Sequence, residues 1–269
     1  MIGMCWTETL KLIGRRRWLA IFPASVLAAL LNLSTLHCQT EHRSVLNVWD
    51  SVFGTLGDWL SFRFIFMLLF IFLVADCVLE DVASNWAWLT LSRSPSRHAW
   101  WTAKVVSLFI AGLVYFSLGA IIILLFSLTQ FPYAADLSPY ATGLSNYGQG
   151  LGTMAFPNGT NPWLLCVQFV LYSTFACGVF ALIPVTISLV IRKDYVAPLI
   201  PFVWLFLSHL GQTNRLLARI DLILRMFYAS YFHSRLTAPI SLSGSLFYLS
   251  SVGIGLYLVG VYVVQRADF

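Results

Sequence analysis

Charge is what this chain has least of. Only 10% of its 269 residues are Asp, Glu, Lys or Arg, against about 25% in soluble domains. No hydrophilic run is long enough to fold as a separate soluble domain. The five cysteines, Cys5, Cys38, Cys77, Cys166 and Cys177, are scattered. No paired-Cys or Cys/His spacing suggests zinc, and an odd count with only Cys38 clearly in an outer loop argues against a disulfide framework. The others read as buried thiols. His37, His42, His98, His209 and His233 form no HExxH pair, and no GxxxxGK[ST] phosphate loop is present. Ser241-Leu-Ser-Gly-Ser resembles a nucleophile motif only faintly and lies at a span start without a plausible histidine on a neighbouring helix. No small-residue cleavage pattern follows Leu36, so the basic start and its apolar sequel read as a retained first span.

What is abundant is apolar surface: 59% of residues are hydrophobic and 16% aromatic, with a mean hydropathy of +0.80. The chain reads as an all-α integral membrane protein forming a single transmembrane domain over 1–269. Six spans are expected at about 18–36, 60–79, 105–129, 163–191, 195–211 and 245–264. The fifth is the weakest, because YVAPLIPFVWLFLSHLG is short and Pro198 and Pro201 each remove a backbone donor. A re-entrant segment is the alternative there. An even count places both termini on one side. If that side is the cytoplasm it holds Lys11, Arg15, Arg16, Arg17, Arg93, Arg97, Lys104, Arg192, Lys193 and Arg266, which is 10 of the 16 basic residues. The loop from Gln130 to Pro162 holds no Lys or Arg, so the termini are expected inside. The net charge of +5 then follows from cations at span ends, and no nucleic-acid partner is called for.

Two short stretches are amphipathic. Over residues 6–17, Trp6, Leu10 and Ile13 share one helical face and Glu8, Lys11 and Arg15 the opposite one. This predicts an interfacial helix at about 5–17, with Lys11, Arg15, Arg16 and Arg17 near anionic headgroups; an ordinary charged start to a span is the alternative. After the fifth span, Leu216, Leu217, Ile220, Ile223, Leu224 and Phe227 oppose Arg215, Arg219, Asp221 and Arg225. One or two short outer helices are expected there, serving as a gate or a structural cap. The Gly-, Pro- and Asn-rich loop from Gln130 to Pro162 reads as an irregular cap. Strongly polar residues within spans are few: Asn32, Arg63, Asp76 and Gln168, all but the last able to snorkel to an interface. A proton- or ion-coupled carrier needs charge near the midplane, which points instead to energy arriving from outside the membrane.

The segment Glu80–Lys104, EDVASNWAWLTLSRSPSRHAWWTAK, concentrates ionic and tryptophan residues between two apolar runs. Asp76, Glu80 and Asp81 close one run, Trp86 and Trp88 follow, and Arg93, Arg97, Trp100, Trp101 and Lys104 precede the next. This is the pattern of a loop lying on the membrane where a soluble partner docks. The segment resembles the loop between the second and third spans of type-2 ABC exporter permeases. There an acidic residue ends the second span, a short coupling helix follows, and an R-x-P-x-R…W-x-x-K stretch leads into the third. The order and length of elements are similar over nearly the whole chain.

That resemblance implies a permease subunit that binds no cofactor itself, with ATP and Mg on a separate ATPase subunit and a second permease, the same or homologous, beside it. The coupling helix would be about Ser84–Leu91, seated in a groove of the ATPase. Glu80 and Asp81 would pair with cations of the ATPase or of the interfacial helix, for instance Arg15–Arg17. Arg93 and Arg97 would fix the loop against headgroups or partner carboxylates, and Trp100, Trp101 and Lys104 would anchor it at the interface. The cargo would be an amphiphilic or hydrophobic peptide, lipid-like compound or drug, exported across a bacterial cell membrane. A secondary transporter or channel is the runner-up, and an intramembrane enzyme comes third.

Overall fold

The computed structural model describes residues 2–39, 46–75, 77, 78, 81, 96–142, 156, 157, 159–191, 196–211, 221–232 and 241–266, and every regular element among them is helical. Helix α1 (Ile2–Ile13) ends at a turn in which the Gly14 N–H bonds Leu10 O at 2.8 Å. Arg15 is extended, and a 3₁₀ turn (Arg16–Ala20) runs straight into α2 (Ile21–Gln39).

Helix α3 (Val48–Leu56) lies where the sequence suggests only a connecting loop. Its start is a capping box: the Asn47 side chain accepts from Trp49 N at 3.0 Å and Asp50 Oδ2 from Asn47 N at 2.7 Å. All nine residues are buried. The Asp50 carboxylate meets Ser138 Oγ at 2.6 Å, the Trp49 indole donates to Ala134 O at 2.8 Å, and Asn32 Nδ2 donates to Ser51 O at 3.1 Å. Asn32, expected to snorkel, thus ties α2 to α3. The chain then bends by 76°, with Asp58 accepting from Ser61 N at 2.7 Å, and continues as a π-helical segment (Ser61–Met67) into α4 (Leu68–Val74).

Helix α5 (Arg97–Gln130) is 34 residues long, about 51 Å at the usual rise, and packs against α1, α2, α3, α6 and α9. It begins eight residues before the expected span because Ser96, extended and with its Oγ accepting from Ala99 N at 3.1 Å, caps it there. Helix α6 (Pro162–Val190) starts with Asn161 as cap and Pro162 in the first turn; it is the most buried of the long helices. Helix α7 (Val196–Gly211) carries Pro201 inside it. Helix α8 (Leu222–Met226), capped by Asp221, and a 3₁₀ turn (Tyr228–Phe232) lie where short helices are expected. Helix α9 (Leu242–Arg266) completes the bundle.

Among the described residues, Arg16–Leu36, α5, α6 and α9 are long and apolar enough to cross a membrane, and the bent pair α3 with Ser61–Val74 makes up to five. Helix α7, at 16 residues, falls short of that length. The outward faces of α2 and α9 carry Phe22, Leu27, Phe247, Ile254 and Leu258, all exposed, which is the surface a lipid environment accepts at no cost. The described part of the loop after α5 is irregular, as its composition predicts, and packs over α3.

Candidate functional site

One end of the bundle holds a buried ionic cluster. Glu8 of α1 is 4% exposed, Lys104 of α5 is 3% and Asp81, beyond α4, is 5%. The Lys104 ammonium pairs with both carboxylates and donates to Cys77 O at 3.5 Å. Lys11, one turn after Glu8, completes the group at 3.4 Å from Glu8 and 3.7 Å from Asp81. Two cations thus face two anions contributed by three separate elements. Charges so far out of water are tolerated only when paired, which makes this cluster a joint that holds α1, Asp81 beyond α4 and the start of α5 in one arrangement.

The sequence places each group for a local reason. On α1, Glu8, Thr9 and Leu12 are buried while Trp6 and Leu10 stay exposed, so the apolar face predicted to meet lipid does face outward. The polar face, expected among headgroups, is instead turned into the bundle at Glu8. Arg16 is exposed and Arg15 and Arg17 are half-buried. Asp81 does receive a cation from the N-terminal helix, and that cation is Lys11.

The first two turns of α5 bind a second helix. The Arg97 guanidinium donates to Val264 O at 3.3 Å and Gln265 O at 3.2 Å, two carbonyls that the end of α9 leaves without helical partners. Trp101 Nε1 donates to Tyr257 O at 3.1 Å, and the Tyr257 hydroxyl lies 2.9 Å from both Thr102 Oγ1 and His98 Nε2. The Trp101 ring occupies the space where a Cβ on Gly260 would stand, so only glycine admits this approach.

These contacts correct three expectations. Trp100 and Trp101 are fully buried rather than anchored at an interface, and Lys104 is paired inside the bundle. The reason is that α5 starts at Arg97, with α1 covering one side of its first turns and α9 the other. Arg97 meets carbonyls of this chain. Glu80, Trp86, Trp88 and Arg93 lie outside the described residues, as does the Ser84–Leu91 coupling helix. The participant that the loop motif alone misses is Glu8; its signal is a single acid in an otherwise basic N-terminal helix.

At the opposite end of the bundle, Arg63 does not snorkel. It is 1% exposed, its Nη2 donates to Ser208 Oγ of α7 at 2.7 Å, and its guanidinium lies 4.1 Å over the Trp59 ring. Ser208 in turn donates to Asp221. Gln168 accepts from the Tyr228 hydroxyl at 3.1 Å. Among the described residues no group of three His, Cys, Asp or Glu is placed to hold a metal ion. No family model matches the chain, and no curated protein or solved structure is similar to it.

Proposed function

We propose that this chain is the membrane-spanning permease subunit of an ATP-driven exporter of the type-2 ABC kind. A separate ATPase subunit, carrying ATP and Mg, docks on the coupling helix at about Ser84–Leu91, and a second permease subunit completes the translocation path. The chain crosses six times, with α7 as a short fifth crossing and both termini in the cytoplasm. Its cargo is an amphiphilic or hydrophobic compound.

The observation that supports this most is how both flanks of the docking segment are held. Asp81 on one side and Arg97, Trp101 and Lys104 on the other are fixed to α1 and α9 by buried ion pairs and carbonyl bonds. A displacement that reaches these flanking residues is not absorbed at the joint, since buried ion pairs break only at a cost of several kcal/mol. It moves α1 and the inner ends of α5 and α9 together, which is what coupling of ATP hydrolysis to a distant path requires.

The test is purification of the tagged chain in mild detergent with identification of what accompanies it, followed by an ATPase assay and transport in liposomes. An accompanying ATPase whose hydrolysis drives flux supports the proposal. A chain that purifies alone and carries ion- or proton-driven flux assigns it to the secondary transporters and ends the coupling reading.

A further inference from the structure

A buried arginine in a membrane-spanning bundle is costly and is retained for a purpose or a partner. Arg63 has only part of a partner. Of its five N–H donors, Nη2 reaches Ser208, while Nε is buried with no hydrogen-bond partner. Its hydrogen-bonded link to the Asp221 carboxylate runs through Ser208. The residue sits in the π-helical segment Ser61–Met67, a rare backbone form frequent at functional sites, and Ser61 Oγ in the same segment is also buried and unpartnered.

The free Nε beside the Nη nitrogens is the edge of a guanidinium that grips a carboxylate or phosphate with two bonds. The chemistry around it is amphiphilic. Trp59 covers one guanidinium face and itself packs on Phe227 with ring centres 5.0 Å apart. Leu60 and Phe64, near Arg63 in sequence, and Phe206 and Leu207, just before Ser208, are exposed apolar residues of the same two helices. From these we infer that Arg63 is the binding point for the acid group of an anionic amphiphile, whose tail lies on the apolar surface made by those residues. The incoming anion replaces Asp221 as the counter-charge, so the guanidinium is never left uncompensated. Asp221 caps α8 with its other oxygen, accepting from Ile223 N at 3.0 Å, so the exchange can leave α8 capped.

The experiment uses the full chain in phosphatidylcholine nanodiscs without nucleotide, so its failure and failure of the ATP-coupling proposal are separable. The probes are dansylaminoundecanoic acid and its neutral methyl ester, followed by dansyl fluorescence. Saturable binding that favours the acid by about tenfold or more is expected, the size of one charge-assisted hydrogen bond. Arg63→Gln loses the preference while still binding the ester, and Arg63→Lys keeps part of it. Asp221→Asn moves the other way and strengthens acid binding, because the competing carboxylate is gone. A merely structural ion pair would make the two variants err alike, so Asp221→Asn carries the test even if Arg63→Gln fails to fold. Equal binding of acid and ester by the wild type, or unchanged acid binding by Asp221→Asn, overturns the proposal. Competition by phosphatidylglycerol doped into the discs identifies a lipid headgroup as the natural anion, and competition by inorganic phosphate a free one.

Discussion

The two ends of the bundle solve the problem of a buried charge in different ways. At the α1 end, Glu8, Lys11, Asp81 and Lys104 balance one another through direct ion pairs. At the far end Arg63 is hydrogen-bonded to Asp221 through a serine hydroxyl and keeps an unused donor. A set of direct buried pairs resists rearrangement, since separating them strands a charge. A relay with a spare donor can exchange one anion for another. The first is suited to transmitting a displacement and the second to admitting a ligand.

The strongest way to break the comparison is Lys104→Met, which removes the ammonium that pairs with both buried carboxylates, Glu8 and Asp81. A loss of about 3–5 kcal/mol in folding stability is expected, read as a large fall in the thermal midpoint of the detergent-purified chain. The triple variant Glu8→Gln, Asp81→Asn, Lys104→Met removes charge from both sides and should regain most of that stability. It should not regain transport, because apolar and amide groups no longer bind α1 to α5 under load. Transport at wild-type level in the triple variant would show that the cluster only stabilises the fold.

Next in size is Gly260→Val. The new side chain meets the Trp101 ring, and overpacking of this kind costs about 1–3 kcal/mol. Adding Trp101→Leu should relieve it. Failure of that rescue would mean that the start of α5 and the end of α9 are not in the contact described here. The far end offers a smaller control in Asn47→Ala, which removes the α3 capping box at about 1 kcal/mol and should leave both charge clusters intact.

How far the sequence discloses these features depends on which physical rule each one obeys. The helices of spanning length were legible because long apolar runs have few alternatives. Helix α3 was not, since nine residues containing Asp50 read as loop; its signal was the short Asn47-to-Asp50 capping pattern. Lys104 obeyed the rule that cations mark membrane boundaries, and the rule misled because α1 covers that boundary. Arg63 was misread for the same reason at the other end: snorkelling assumes an open path to water, and α7 with Asp221 closes it. What the loop pattern did convey was where charge and tryptophan gather. Whether a given member lies at a surface or inside depends on neighbours distant in the chain.

The finest test of the comparison is the lipid dependence of Asp221→Asn. Asparagine can still cap α8 and accept from Ser208, so the variant loses only the distant counter-charge of Arg63. In pure phosphatidylcholine a loss of about 1 kcal/mol is expected, seen as a modest drop in thermal midpoint. With phosphatidylglycerol present, an exchangeable site recruits the missing anion and the deficit shrinks by mass action. The deficit of Lys104→Met should be the same in both lipids, because its stranded partners are carboxylates enclosed by α1 and α5 that an anionic lipid cannot relieve. Equal lipid sensitivity in the two variants would erase the distinction between a fixed joint and an exchangeable site.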